Sequence, residues 1–211
     1  MNAALLTLVQ WLSPAFPTGG FAYSHGLEQV VTDGIVKDGA GLARWLGDIL
    51  RHGAGRQDAI LLAAALRDGA DHGALDAYAR ALAPSAERLS ETLEQGAALA
   101  RAVSAVTGRP LPPRALPVAL GQAAYPLGLP VADVVALYLH GFASNLTSAA
   151  VRFVPLGQNE GQAVLAGLHP LIAALAEQAA TLGLEDIASA TVGADIAAMR
   201  HETMDVRIFK T

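Results

Sequence analysis

Apolar residues along this chain recur at helical rather than alternating spacing. Leu42, Trp45, Leu46, Ile49 and Leu50 fall at i, i+3, i+4, i+7 and i+8, which lines one face of an amphipathic helix. The same spacing returns at Leu5, Leu8, Val9 and Leu12, and at Val131, Val134, Val135, Tyr138 and Phe142. Ser85, after Pro84, is placed to cap a helix running to about Thr107, and Gly108 stands where a left-handed residue ends it. Breaks fall at Pro14 to Gly20, at Gly69 to Gly73 and in Arg109-Pro110-Leu111-Pro112-Pro113. The Pro-rich break separates stretches that do not repeat one another, and helical spacing resumes by Leu116. The pattern predicts an all-α fold over residues 1–211, a single-domain helical bundle of roughly eight to ten helices.

Only the last residues depart from this period. Met204, Val206 and Ile208 alternate with Asp205 and Arg207, which is strand spacing, but one short alternation cannot make a sheet. Ile208 and Phe209 lie between charges, where apolar area is wasted unless something buries it, at roughly 25 cal/mol per Å². Residues 200–211 are therefore expected to be an extended C-terminal tail that becomes ordered on a partner, so that truncation would cost little stability. Within it Arg207 is suited to a bidentate contact with a carboxylate or with carbonyls.

Composition sharpens the picture. Charged residues make up 16% of the chain against roughly 25% in ordinary soluble domains, and 53% are apolar. Either the core is unusually large or another protein covers part of the surface. No run approaches the roughly 18 uncharged apolar residues of a membrane span: Val134 to Leu139 is short, and Ile60 to Leu66 is closed by Asp58 and Arg67. The net charge is -5 with basic residues scattered singly, which argues against nucleic acid as a partner. No basic residue precedes Lys37, so a signal-peptide n-region is missing and a cytoplasmic location is expected, with no membrane association. There is no cysteine, which excludes disulfides, thiolate metal sites and Cys nucleophiles.

Candidate chemistry is sparse. Backbone N–H groups in a Gly-rich turn ahead of a helix can hold an anion, and Thr18-Gly19-Gly20 invites that reading. It lacks the Lys-Ser/Thr of a phosphate loop and the spacing of a dinucleotide fingerprint, so a tight turn in which glycine lets Phe21 and Tyr23 approach another backbone is the simpler account. Of six histidines, at 25, 52, 72, 140, 169 and 201, no two stand at i and i+3 or i+4, the spacing of a helix-borne metal site. His52, His72, His140 and His169 read as ordinary hydrogen-bonded residues. Ser104 and Ser144-Asn145 sit in no nucleophile-elbow pattern. Ser144, Asn145 and Thr147 read as small polar residues bonding to a neighbouring helix backbone. No catalytic residue is assigned and no cofactor is implied. A rival reading is a small hydrolase or metal-dependent enzyme with its site at the Gly19-Gly20 turn.

Several segments in order carry more information than any one of them. Phe16-Pro17-Thr18-Gly19-Gly20-Phe21-Ala22-Tyr23-Ser24-His25-Gly26-Leu27-Glu28 is followed by Glu87-Arg88-Leu89-Ser90, Gln95-Gly96, Ser144-Asn145-Leu146, Ala149-Ala150-Val151-Arg152, Pro155-Leu156-Gly157-Gln158 and a tail from Met199 to Thr211. Together they resemble the UreF-type urease accessory proteins over nearly the whole chain. Ile208, Lys210, Thr211 and Met204 stand where that family often has Leu, Arg, Ser and Gln. The resemblance implies a non-enzymatic scaffold: a helical homodimer that binds the accessory protein UreD, also called UreH, recruits the GTPase UreG, and serves nickel delivery to apo-urease. It implies partner-binding roles for Phe21 and Tyr23, as aromatic anchors, and for Arg200, His201, Glu202, Arg207 and Phe209. It also singles out His25 and His201 as the only candidates for a nickel contact, and leaves Glu28 as either first-turn helix charge or part of the site.

Overall fold

A computed structural model describes residues 2–211 as ten α-helices joined by short loops, with no strand among the described residues. Chain order runs α1 Ala3–Leu12, α2 Leu27–Thr32, α3 Gly39–His52, α4 Ala54–Ala65, α5 His72–Ala81, α6 Ala86–Thr107, α7 Leu116–Ala124, α8 Val131–Ala150, α9 Gln158–Thr181 and α10 Val192–His201. Single 3-10 turns occupy Gly20–Ala22, Tyr125–Leu127 and Leu184–Asp186.

Helix α4 lies at the centre. From Ala59 to Ala65 every residue is buried, as a helix that is apolar all round must be. It packs on α3, α7, α8 and α9, and α5 closes a smaller cluster of Leu61, Ala65, Leu75, Ala79 and Val118 at its end. The boundaries of α6 follow the local signals: the Ser85 hydroxyl accepts from the Arg88 N–H at 3.1 Å, and Gly108 ends the helix at φ +70°. Inside α6, a side chain at Gly96 would strike the Arg114 carbonyl, so glycine is what lets α6 and the start of α7 touch.

Three expectations need correction. The face of α1 was expected at Leu5, Leu8, Val9 and Leu12, yet the buried residues are Leu8 and Trp11, while Leu5 and Val9 are exposed. Trp11 offers far more apolar area than Val9, and the helix rotates to bury it. Helix α9 is, by length and composition, apolar enough to cross a membrane, contrary to the reading that no segment is. Glu160 and Glu177 are its only carboxylates and it has no Lys or Arg, but its face of Leu165, Leu168, Ile172, Leu175 and Ala179 is buried in the core. The Thr147 hydroxyl bonds to the Ala143 carbonyl of its own helix at 2.8 Å, rather than to a neighbour's backbone.

The tail, residues 202–211, leaves α10 through a turn, continues through two bends without helix or strand, and is seated on the body of its own subunit. The Lys210 N–H donates to the Ala22 carbonyl at 2.8 Å and the Ser24 N–H to the Thr211 carbonyl at 2.7 Å. These two backbone bonds tie the last two residues to the glycine-rich segment, while the alternating residues 204–208 pair with no strand.

Candidate partner-binding site

The segment between α1 and α2 turns sharply because two consecutive residues are left-handed, His25 at φ +58° and Gly26 at φ +74°. His25 is a rare non-glycine residue in this region, and its N–H is fixed by the Thr211 hydroxyl at 3.1 Å. At Gly26 a Cβ would lie 2.9 Å from the Ala198 nitrogen, so glycine allows α2 to abut α10. Gly20 lies equally close to the amides of Asn145 on α8 and Gln95 on α6. The close approaches in this turn are made by the glycines themselves, Gly20 to side-chain amides and Gly26 to the α10 backbone, rather than by Phe21 and Tyr23.

Glu28, on the first turn of α2, is buried and holds the tail. Its Oε1 accepts the Ile208 N–H at 2.8 Å, and its Oε2 accepts the Phe209 N–H at 3.0 Å. His201 Nε2 lies 3.1 Å from the same Oε2, while His201 Nδ1 lies 2.7 Å from Glu87 Oε2 on α6. A carboxylate only accepts, so both contacts are hydrogen bonds together when the ring carries both protons. His201 is fully buried and is the central rivet between α2, α6 and α10.

Helix α6 supplies the complementary face, with Glu87, Glu91 and Glu94 at i, i+4 and i+7. Arg207 Nη1 meets Glu87 at 2.5 Å and Lys210 Nζ meets Glu94 at 2.8 Å. The Thr211 hydroxyl donates to Glu91 at 2.9 Å. Hydrogen bonds from Lys210, Tyr23 and Ser90 hold the Glu94 carboxyl down at about 2. Glu91 is buried, which alone would raise it, but the Arg88 guanidinium and His25 outweigh that and hold it at about 2. His25 is pushed down by burial and then by Arg88, so it is the neutral imidazole beside the Arg88–Glu91 pair. Behind them Asp58, receiving the Tyr138 hydroxyl at 2.6 Å, is pushed up by burial to about 6. Two cavities of about 60 and 90 Å³ meet at Asp58, Arg88 and Thr92, with room for several waters at ~10–15 Å³ each.

The residues singled out from sequence divide into two groups. Phe21 is 66% exposed, and Arg200 and Arg207 reach solvent while pairing with Asp33 and Glu87. Tyr23, His201 and Phe209 are instead buried. Tyr23 donates to Glu94 at 2.5 Å, and burial with that carboxylate pushes its hydroxyl well above the ordinary range. Phe209 packs edge-on to Phe153, centroids 5.5 Å apart, with Arg152 over its face. Glu202 caps α6 by accepting the Glu87 N–H at 3.2 Å. Tyr23 and Phe209 are therefore internal packing residues, not exposed anchors. Sequence reasoning missed Glu28 as the tail's anchor, and missed Glu91 and Glu94. As for a metal, among the described residues no group of three or more His, Asp or Glu is arranged to hold one. His25 faces Glu91 at 3.8 Å, and both nitrogens of His201 are taken up by carboxylates.

This junction gathers most of the segments that carried the resemblance: the glycine-rich turn, the start of α6 with Gln95, Asn145 of α8, Arg152 and the tail. The class that such a fold and junction define is that of the all-helical urease accessory proteins. The UreF family model matches residues 36–169, more than half of the chain. A urease accessory protein UreF of Cereibacter sphaeroides strain KD131 is 69% identical over 211 residues, covering 100% of both chains. One of Paracoccus denitrificans strain Pd 1222 is 58% identical over 210 residues, covering 100% of this chain and 97% of its own, and one of Dinoroseobacter shibae is 50% identical over 211 residues. The chain belongs to the UreF family.

Proposed function

We propose that this urease accessory protein acts in the cytoplasm as a non-enzymatic scaffold, a homodimer that binds the UreD/UreH-type accessory protein, recruits the UreG-type GTPase and so serves nickel insertion into apo-urease. The observation that carries the reading is the outward face of α10 and the tail. Val192, Ile196 and Met199 fall at i, i+4 and i+7 on α10 and are all exposed, and Val206 and Ile208 of the tail are 78% and 66% exposed. An apolar stripe of this kind, next to the charged side chains of Arg200 and Arg207, has the mixture expected of an interface. The latch beneath it, Glu28 with His201 and the tail N–H groups, fixes the positions of those side chains. In this reading the UreD-type partner reinforces the docked tail over the 200–211 segment, and the surface thereby completed, Phe21 and Arg207 included, is what the GTPase meets.

The test is a pull-down of the GTPase by the preformed complex of this protein with the UreD-type partner. Arg207 makes an exposed ion pair in the isolated subunit, worth little to the fold, so Arg207→Ala is expected to leave thermal stability within about 1 kcal/mol of wild type. At a formed interface the loss of its charge-assisted contact costs about 2 kcal/mol, roughly a thirtyfold loss of GTPase affinity. Retention of the GTPase and of urease activation by the Arg207→Ala complex at wild-type levels would overturn the assignment of the tail.

A further inference from the structure

His140 on α8 and His169 on α9 face each other across the two helices, their ring centroids 5.4 Å apart and their planes inclined by 47°. They are 29 positions apart in sequence and came together only through the packing of the α8–α9 pair. The reading of both as ordinary hydrogen-bonded histidines does not describe them. His72 does fit that description, with its Nε2 on the Ala65 carbonyl at 2.9 Å, whereas neither ring of the pair bonds to a protein group among the described residues. His140 is half-buried and His169 is exposed, so the pair opens to solvent.

Two imidazoles in this relation suit one ion. With metal–nitrogen distances of about 2.0–2.1 Å, each ring centroid lies about 3 Å from the ion, and two ligands at a tetrahedral angle have centroids about 5 Å apart. That is the separation seen. We propose that His140 and His169 form a surface site for a divalent first-row transition ion of the kind that imidazole favours, nickel, zinc or copper, with its remaining positions open to water or to a donor from another molecule. No carboxylate is placed to complete the site, consistent with the lack of any three-residue cluster among the described residues. A two-ligand site holds an ion loosely and exchanges it readily. The inference stands on this geometry alone and is independent of the scaffold reading.

Nickel chloride and zinc sulfate are the probes, titrated calorimetrically into tag-free full-length protein. One ion per chain is expected, with His140→Ala and His169→Ala each weakening it at least tenfold and His52→Ala, an exposed histidine on α3, leaving it unchanged. Far-UV circular dichroism checks that the variants keep their helices. A readout that needs no variant is paramagnetic broadening of the wild-type NMR spectrum by nickel. Broadening centred on residues 136–144 and 165–173 supports the site. No binding by the wild type, unchanged affinity in the double variant, or broadening centred on His25 or His201 overturns it.

Discussion

Replacing Glu28 by Ala is the most discriminating single perturbation of the junction. The carboxylate is 5% exposed and accepts from two tail N–H groups, at 2.8 and 3.0 Å, and faces His201 at 3.1 Å. Hydrogen bonds to a charged group contribute about 1.5–3 kcal/mol each, but three that share one acceptor do not add in full, so about 3–5 kcal/mol is expected. The loss is capped by the free energy of tail docking, because once the tail lifts off its N–H groups regain water. Amide exchange across residues 202–211 should therefore accelerate by about a hundredfold or more, since each 1.4 kcal/mol is tenfold. Melting should fall by roughly 6–20 °C, at about 2–4 °C per kcal/mol for a chain of this size. Glu28→Gln keeps the shape but turns an NH2 toward a donor, and should fall between. If Glu28→Ala exchanges and melts like wild type, the tail is not latched in the isolated protein, and the expectation that it orders only on a partner is restored.

Truncation after Met199 removes His201 and the buried Phe209 together, so it should lower melting at least as far as Glu28→Ala, contrary to the near-neutral effect expected from sequence; differential scanning calorimetry reads it. Two buried carboxylates set opposite pH dependences. Asp58 is raised from 3.8 to about 6, so its contribution grows as pH falls from about 6 toward 3.8 and is absent above 6; Glu91 is lowered from 4.5 to about 2, and its contribution of about 3 kcal/mol, present above pH 4.5, is lost as pH falls toward 2. Urea unfolding of wild type and Asp58→Asn at a series of pH values should show the gain between pH 7 and 5 only in wild type, and equal slopes would refute it. Gly26→Ala combines a left-handed backbone with a collision at Ala198 and should cost at least about 2 kcal/mol by the same unfolding assay.

Local signals were legible and long-range ones were not. Ser85 and Gly108 bounded α6 because a cap and a left-handed stop act within a few residues. The buried part of α4, Ala59 to Ala65, coincides with an uncharged run between Asp58 and Arg67, a pattern that the sequence alone does not distinguish from any short apolar stretch. The α1 face was misplaced because spacing weighs Val9 and Trp11 alike, whereas burial follows area. Glu28 could not be separated from an ordinary first-turn charge, because two of its partners are backbone N–H groups, at positions 208 and 209, that leave no mark on side-chain identity. One long-range signal is nonetheless written in side-chain charge. Glu87, Glu91 and Glu94 line one face of α6, and the tail carries His201, Arg207 and Lys210, so the charges of the two segments are complementary as written.

That complementarity also sorts the tail into inward and outward residues, which spacing alone could not do. The sequence points Phe209 toward a partner because exposed aromatic area is costly, but that cost is already avoided against Phe153 and Arg152. The argument from wasted apolar area survives by moving to residues that no internal contact relieves, namely Val206 and Ile208 on the tail and Val192, Ile196 and Met199 on α10. Glu28 holds the N–H groups of both Ile208 and Phe209, so the bonds that bury Phe209 also point Ile208 outward. A change that frees the latch therefore disturbs the outward face without touching any of its side chains. Glu28→Ala should impair capture of the UreD-type partner although its carboxyl is itself out of a partner's reach, whereas Ile208→Ala should weaken capture while leaving melting unchanged.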